Sequence, residues 1–386
     1  MKMRHAFGLM TAAVVGVSGI GTVGVAQAAE SEKSEPSSAT LQQISLQANE
    51  GVSDLTGQRS TDAFRLFGLN WDDPTEQLSG DVEARTRDAQ TGTWSDWVRL
   101  EANGPGGEEN GKGSRGASNS VWVEPSDGVE VRVAGAQKSA GAALPKGARL
   151  TLVHPGTNGG KGTDDKVGTG RAGQPPIVSR AGWGADETMV PPGTEPGDPA
   201  HDPEYNPDVK AMFVHHTTES DTKYKCKESP DRARAVQKLH VLGNGWKDVG
   251  YNFMVDKCGT IFEGRKGGVD KPVLGAHTYG FNRESSGVAL LGGYMDAKAA
   301  RQALSAVGSL SAWKLGLHGV DPDGTVDLKA GATQKNHYGK QFEAGKTYPF
   351  ERISAHRDGT DTLCSGDELY AQLPEIRRFA KEANGR

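Results

Sequence analysis

The sequence predicts an α/β domain preceded by a smaller all-β, sandwich-like domain, and three observations carry that expectation. Before residue 156, short apolar runs that tend to alternate are separated by turns rich in Gly, Pro and Asn, the pattern of an antiparallel sandwich. After residue 174, strand-like apolar runs are interleaved with helical stripes, the pattern of a mixed α/β domain. Between them, residues 156–174 are rich in Gly, Thr, Lys and Asp, have no apolar periodicity and read as a flexible tether. The 386 residues leave room for two ordinary domains. The expected organisation is a leader over 1–28, a β-rich accessory domain over 29–155, a linker over 156–174 and an α/β domain over 175–386.

The elements follow in order. Lys2, Arg4 and His5 form a basic start, and Ala6 to Val25 is an apolar, small-residue stretch. Ala26-Gln27-Ala28 then offers small residues for cleavage before Ala29, which together predict an export signal. A spanning helix wants about 20 predominantly apolar residues, and no later run approaches that. The mature protein is therefore expected to be secreted, without stable membrane insertion. In the front part, strands are expected at Phe64–Trp71, Val82–Arg87, Trp94–Leu100, Val121–Glu124, Val129–Val133 and Leu150–Val153, with a long loop over 102–119. Trp71, Trp94, Trp97 and Trp122 read as core of a small sandwich, with a platform for sugar rings as the alternative.

In the second part, Met212-Phe213-Val214 reads as a short buried strand. Ser229-Pro230-Asp231 starts a helix, Val236, Leu239 and Leu242 give it an apolar stripe, and Gly243 stops it. Phe253–Val255 and Thr260–Phe262 flank a turn and predict a hairpin. Val288–Leu291 is a continuous apolar strand, and Ala297–Leu317 an amphipathic helix. Residues 319–349 read as an irregular insertion. Asp367–Ala383 is helical, split by Pro374.

Charge excludes some partners. The net charge is −5, with the acidic excess in the front part, so there is no electrostatic footprint for nucleic acid. Three cysteines in an exported chain invite pairing. Cys226 and Cys258 bracket a helix and a strand in one compact region, and an oxidising exterior favours joining them. Cys364 is then the odd one out. A buried inert thiol is the bland reading, but a polar loop shortly after His356, at the end of an apolar run, points to a metal ligand.

Two segments carry that chemistry: Phe213-Val214-His215-His216-Thr217 and Ala355-His356-Arg357-Asp358-Gly359-Thr360-Asp361-Thr362-Leu363-Cys364. Histidine and thiolate suit zinc, and three such ligands leave a fourth tetrahedral position open. If the strands ending at His215 and His356 are neighbours in one sheet, His215, His356 and Cys364 emerge at one edge. Adjacent strand residues point to opposite faces, so His216 is expected beside the metal rather than on it. His277 is a further candidate; His240 reads as structural, and His201, His318 and His337 as surface residues.

At this point the motifs resemble a known family. Val214-His215-His216-Thr217, Gly245–Phe253, Gly259–Arg265, Gly275-Ala276-His277, Ser286-Gly287-Val288 and Ala355–Asp358 occur in the order of the type 2 N-acetylmuramoyl-L-alanine amidases, which share their fold with peptidoglycan recognition proteins. The likeness covers residues 177–383, and Ile177–Ala185 is similar to the opening segment of the recognition-protein branch. The resemblance implies a mixed β-sheet flanked by helices, with Zn2+ at one edge of a groove that binds peptidoglycan, glycan plus stem peptide. It places the zinc ligands on His215, His356 and Cys364, catalytic positions on Tyr251 and Thr362, and groove contacts on His277 and Asn282, with His216 beside them. It implies hydrolysis of the amide between N-acetylmuramic acid and L-alanine, and a Cys226–Cys258 bridge fastening the active-site helix to the hairpin.

The likeness stops at Lys266-Gly267-Gly268, where recognition proteins often carry a Gly-Trp-type pair, so the preference for the third stem residue does not carry over. The alternative reading is a protein that binds peptidoglycan without cutting it. Retention of Cys364 argues for the enzyme, because non-catalytic members typically lose that ligand. No His-Glu-x-x-His helix supports a metallopeptidase of the commonest type.

Overall fold

Residues 39–47, 53–76, 78, 81–102, 114–134, 144–156, 166–167, 173–190, 203–217 and 222–385 are described by a computed structural model. The expected leader over 1–28 lies outside the described residues, as does most of the 156–174 stretch. No helix among the described residues is long and apolar enough to cross a membrane.

The front part holds β1 (Thr40–Ser45), β2 (Arg59–Trp71), β3 (Asp81–Asp88), β4 (Val98–Leu100), β5 (Gly116–Ala117), β6 (Val121–Ala134) and β7 (Arg149–His154). They form one seven-stranded sheet in the order β1-β7-β2-β6-β3-β4, with β5 on β2, and every pairing is antiparallel. Ile44 of β1 and Leu100 of β4 come from opposite edges yet share one core with Phe67, Trp71, Val82, Val131 and Leu152. A flat sheet would keep its edges apart, so this one curls over its own apolar face. Register shifts in the β2–β6 ladder supply bends of the kind that β-bulges produce. Residues 103–113 of the expected long loop lie outside the described residues; Gly116–Ala117 in the same stretch pairs with Asn70–Trp71.

Leu66–Trp71 is buried without interruption. Phe67, Leu69 and Trp71 face the front core. Leu66 points the other way and, with Trp122 and Val153, packs on Ala235 and Leu239 of the second part. A strand covered on both faces loses the alternation of a half-exposed one. The tryptophans divide accordingly. Trp71 is core and Trp122 is buried in the contact between the two parts. Trp94 and Trp97 are half-buried against Arg85, and Arg132 lies 3.8 Å over the Trp97 ring.

In chain order the second part contributes β8 (Lys166–Val167), β9 (Ile177–Val178), β10 (Ala211–His216), β11 (Phe253–Val255), β12 (Ile261–Glu263), β13 (Ser285–Leu290), β14 (Thr325–Lys329), β15 (Gln334–Lys335), β16 (Gln341–Phe342), β17 (Thr347–Glu351) and β18 (Ile353–Ala355). The helices are α1 (Arg180–Trp183), α2 (Ser229–Lys238), α3 (Arg301–Gly316), α4 (His356–Gly359), α5 (Asp367–Ala371) and α6 (Leu373–Asn384). A mixed sheet runs β18-β10-β13-β11-β12-β9-β8. Lys166–Val167, inside the stretch expected to be a tether, adds its last antiparallel strand.

Strand period places the layers. Met212 and Val214 of β10 face α3 and α6 through Leu304, Val307, Leu310, Ile376 and Phe379. Ala211 and Phe213 face the other way, onto Phe281, Leu328, Phe342 and Phe350. Met254 and Ala289 pack on Ala233 and Val236 of α2. Pro230 sits in the first turn of α2, where its missing N–H is harmless, and the helix ends in a π-turn over Leu239–Gly243 that the sequence pattern did not announce. Pro374 likewise opens α6 after the short α5. Helix α3 begins at Arg301, later than the apolar pattern suggests, because Ala300 stays extended as its N-cap. Its Lys314 is buried and donates to the Val269 and Lys271 carbonyls. Cys226 and Cys258 form a disulfide.

The expected irregular insertion is ordered. β14 pairs with β17 and β15 with β16, over a small core of Leu328, Phe342 and Phe350. Strands of two to five residues studded with Lys, Asp and Gln leave too little alternation to read.

Candidate metal centre

Two parallel strands build the site. In the β10–β18 ladder Met212 pairs with Ile353, Phe213 with Ser354 and Val214 with Ala355. His215 and His356 are the next residues on each chain, so they lie side by side just past the end of this ladder, with ring centroids 4.5 Å apart. The loop after His356 returns Cys364 to them. Arg357 N–H donates to the Cys364 carbonyl at 2.9 Å, and Cys364 N–H donates to Thr362 Oγ1 at 3.2 Å. Asp358 holds the strand end by accepting from Ala355 N–H at 2.8 Å and from the Tyr370 hydroxyl at 2.9 Å. One ligand atom each from His215, His356 and Cys364 lies within 4.8 Å of the others.

Electrostatics prepares these side chains as ligands. Burial, together with His356, His277 and His216, holds the His215 imidazole well below its usual range. Burial also pushes the Cys364 thiol up, but His216 and His356 outweigh it and bring the group down to about 6. A neutral imidazole beside a thiolate is the protonation state that metal binding requires. The donor set fits a zinc ion, which His215, His356 and Cys364 would hold.

The neighbours are arranged around His215. His277 Nδ1 lies 3.3 Å from His215 Nε2, while His215 Nδ1 is the nitrogen near Cys364 Sγ, at 3.9 Å. If His215 Nδ1 faces the metal, its Nε2–H donates to His277, which fixes the ring. Asn282 Oδ1 accepts from the backbone N–H groups of His277 and Thr278 at 2.7 and 2.8 Å. His277 and Asn282, expected to touch substrate, are both buried, with His277 against His215 and Asn282 holding the 277–278 backbone. His216 Nδ1 accepts from Tyr294 N–H, its imidazole also acts on the Cys364 thiol, and its backbone N–H points at Cys364 Sγ from 3.4 Å. The Thr362 hydroxyl accepts from Cys364 N–H, so it positions that ligand.

Tyr251 closes the other side, its ring centroid 5.2 Å from that of His215. The π-turn presents His240 against both Tyr251 and Trp246, and His240 Nδ1 accepts from Gly250 N–H at 3.1 Å. Burial, then Arg265, pulls His240 down to about 3, so it stays a neutral acceptor. The structural role expected for His240 is therefore that of a prop for Tyr251. Sequence reasoning missed Gln334, which donates to carbonyls beside the site; a lone Gln in a polar segment carries no signal.

Comparison with known proteins matches both parts of the chain to families. Residues 205–367 match the family described as N-acetylmuramoyl-L-alanine amidase, and residues 24–150 match the one described as Rv3811 N-terminal galactose-binding domain-like. Peptidoglycan recognition protein 1 of Bos indicus is 31% identical over 208 residues, covering 52% of this chain and 86% of the relative. The N-acetylmuramoyl-L-alanine amidase of Sus scrofa is 30% identical over 161 residues, 40% of this chain and 22% of that protein. Among solved structures, Drosophila PGRP-LB aligns at 25% identity with a TM-score of 0.37, over 51% of this chain and 91% of that one. With recognition protein 1 matched over most of its length, the chain belongs to the family of type 2 N-acetylmuramoyl-L-alanine amidases and peptidoglycan recognition proteins.

Proposed function

We propose that this protein is a secreted, zinc-dependent amidase that hydrolyses the amide joining N-acetylmuramic acid to L-alanine in peptidoglycan. The observation that carries the reading is the convergence of His215, His356 and Cys364 on one point, with Tyr251 alongside. A zinc ion held there supplies Lewis acidity toward the scissile carbonyl. The chain's own residues do the rest. His277 orients the His215 ring, and Thr362 and His216 hold Cys364. The Tyr251 ring lies beside His215, and its hydroxyl, which donates to the His216 carbonyl at 3.5 Å, would turn to hydrogen-bond the developing oxyanion. The peptidoglycan partner follows from the family and from relatives whose structures were solved with tracheal cytotoxin, a peptidoglycan fragment.

The test is to incubate the purified protein with intact peptidoglycan and identify the bond that opens, with and without chelator and with Cys364→Ser. New L-alanine amino termini without new reducing sugars are expected, and both chelator and Cys364→Ser should abolish them. Binding without product would replace this reading with recognition alone, the function that most of the named relatives' names state. Activity that survived both treatments would remove the metal from the mechanism. The export reading rests on the basic and apolar leader. N-terminal sequencing of the protein from culture medium should begin at Ala29.

A further inference from the structure

Gln334 lies outside the residues the family motifs assign, yet its amide joins the two loops that build the site. Nε2 donates to the carbonyl of Tyr279, two residues after His277, and to the carbonyl of Gly359 at 2.8 Å, between His356 and Cys364. Both partners are carbonyl oxygens, so only the NH2 end of the amide fits there. The rest of the insertion grips the same loops. Gly331 N–H donates to the Gly280 carbonyl at 2.7 Å, Asn336 Nδ2 to the Asp358 carbonyl at 3.0 Å, and His337 N–H to the Arg357 carbonyl at 3.3 Å.

The site loops are shaped to receive the amide. Gly280 has φ +79°, and a Cβ there would lie 2.7 Å from Gln334 Nε2. A side chain at Gly280 would thus be strained in its own backbone and would displace the amide. Gly359 lets the two loops touch directly, since its Cβ would meet Thr278 Cγ2 at 2.8 Å. The spacing between the His277 loop and the His356–Cys364 loop is therefore held at one point from inside and at another by the insertion.

We propose that Gln334 is a positioning residue that locks the loop orienting His215 to the loop carrying His356 and Cys364, making the insertion part of the metal centre. The inference rests on the zinc reading above for its consequence, and on the hydrogen-bond geometry alone for the lock itself.

Full-length Gln334→Met keeps the side-chain length and loses both donors. Gln334→Glu keeps the shape but sets a carboxylate against two carbonyl oxygens. Two readouts apply: amide hydrogen exchange across residues 275–282 and 356–364 without metal, and the rate of zinc release to a chelator. Gln334→Met should speed both by about tenfold, the order of effect that loss of two hydrogen bonds produces. Gln334→Glu should do more, and Gly280→Ala should reproduce the exchange change in both loops. Glu343→Ala, in an exposed ion pair with Lys346 on the same insertion, should leave both readouts alone. Wild-type behaviour of Gln334→Glu would overturn the proposal, because a mere space-filler tolerates its isostere. Faster exchange in only one loop would also overturn it. Wild-type protein that held no zinc, with exchange altered as expected, would remove the zinc reading and leave the lock standing.

Discussion

On one side of the site the front domain meets α2 through Leu66, Trp122 and Val153 against Ala235 and Leu239. On the other, the insertion shares a small apolar core with Phe213 and Phe281 and also reaches the ligand loops through amide-to-carbonyl hydrogen bonds from Gln334 and Asn336. The first contact is apolar with a polar rim: Asn70 donates to Asn244 at 2.6 Å, and Arg115 to the Gly243 carbonyl at 3.0 Å. Apolar burial is strong but non-directional. A hydrogen bond adds only about 0.5–1.5 kcal/mol net, but it specifies an angle. The front flank should therefore hold the molecule together, and the insertion flank should hold the site in shape.

Three substitutions test that division, from the largest expected effect down. Trp122→Ala should cost about 3–5 kcal/mol of stability, as removal of a buried aromatic does, while zinc retention stays unchanged. Urea unfolding and chelator competition read the two, and a parallel loss of zinc would break the contrast. His277→Ala should reverse the signature, with zinc affinity down about 10–100-fold and the unfolding midpoint little moved. Stability lost without any change in zinc affinity would make His277 a packing residue. Asn70→Ala strands Asn244 in the domain contact and should cost about 1–3 kcal/mol, with turnover per folded molecule intact.

A separate effect lies away from both flanks. Burial pulls the Lys314 ammonium down to about 7, against partial support from Asp270. The unfolded value is near 10.4, so the unfolded chain binds more protons between those limits. Stability should rise with pH across that window, be complete above it, and be lost as pH falls through about 7. Lys314→Met should flatten a slope of about 1 kcal/mol per pH unit, read from unfolding midpoints, without touching zinc retention.

How much of this was legible depended on whether a feature is written in residue type or in contact. His215, His356 and Cys364 were readable because two apolar runs end in ligands that one metal prefers, and the observed parallel pairing of those runs brings them together. The turn of His215 to one face and His216 to the other follows from strand period alone. The Cys226–Cys258 bridge was readable from the number of cysteines and the export that the leader predicts. The docking face was half-written. Phe64–Trp71 lacks clean alternation because β2 is covered twice, but nothing in those residues names α2 as the cover. Gln334 was invisible, since its partners are two backbone carbonyls far away in sequence, and any residue type supplies a carbonyl. His277 and Asn282 were found by motif, but their hydrogen bonds to His215 and to the 277–278 backbone were not, because a motif does not say which way a side chain turns.

The β10–β18 register has one more consequence. Neighbouring strands lie about 4.8 Å apart whatever their side chains, and His215 and His356 are the first residues past the last paired rung. The backbone acts as a ruler that sets the separation of two ligands before any ion arrives. Such a centre needs little ordering on loading, so chelation should empty it without unfolding the chain, and added zinc should restore it in minutes rather than through refolding. Exchange of one ion for another then becomes a matter of how fast the single returning loop, Arg357 to Cys364, opens and closes.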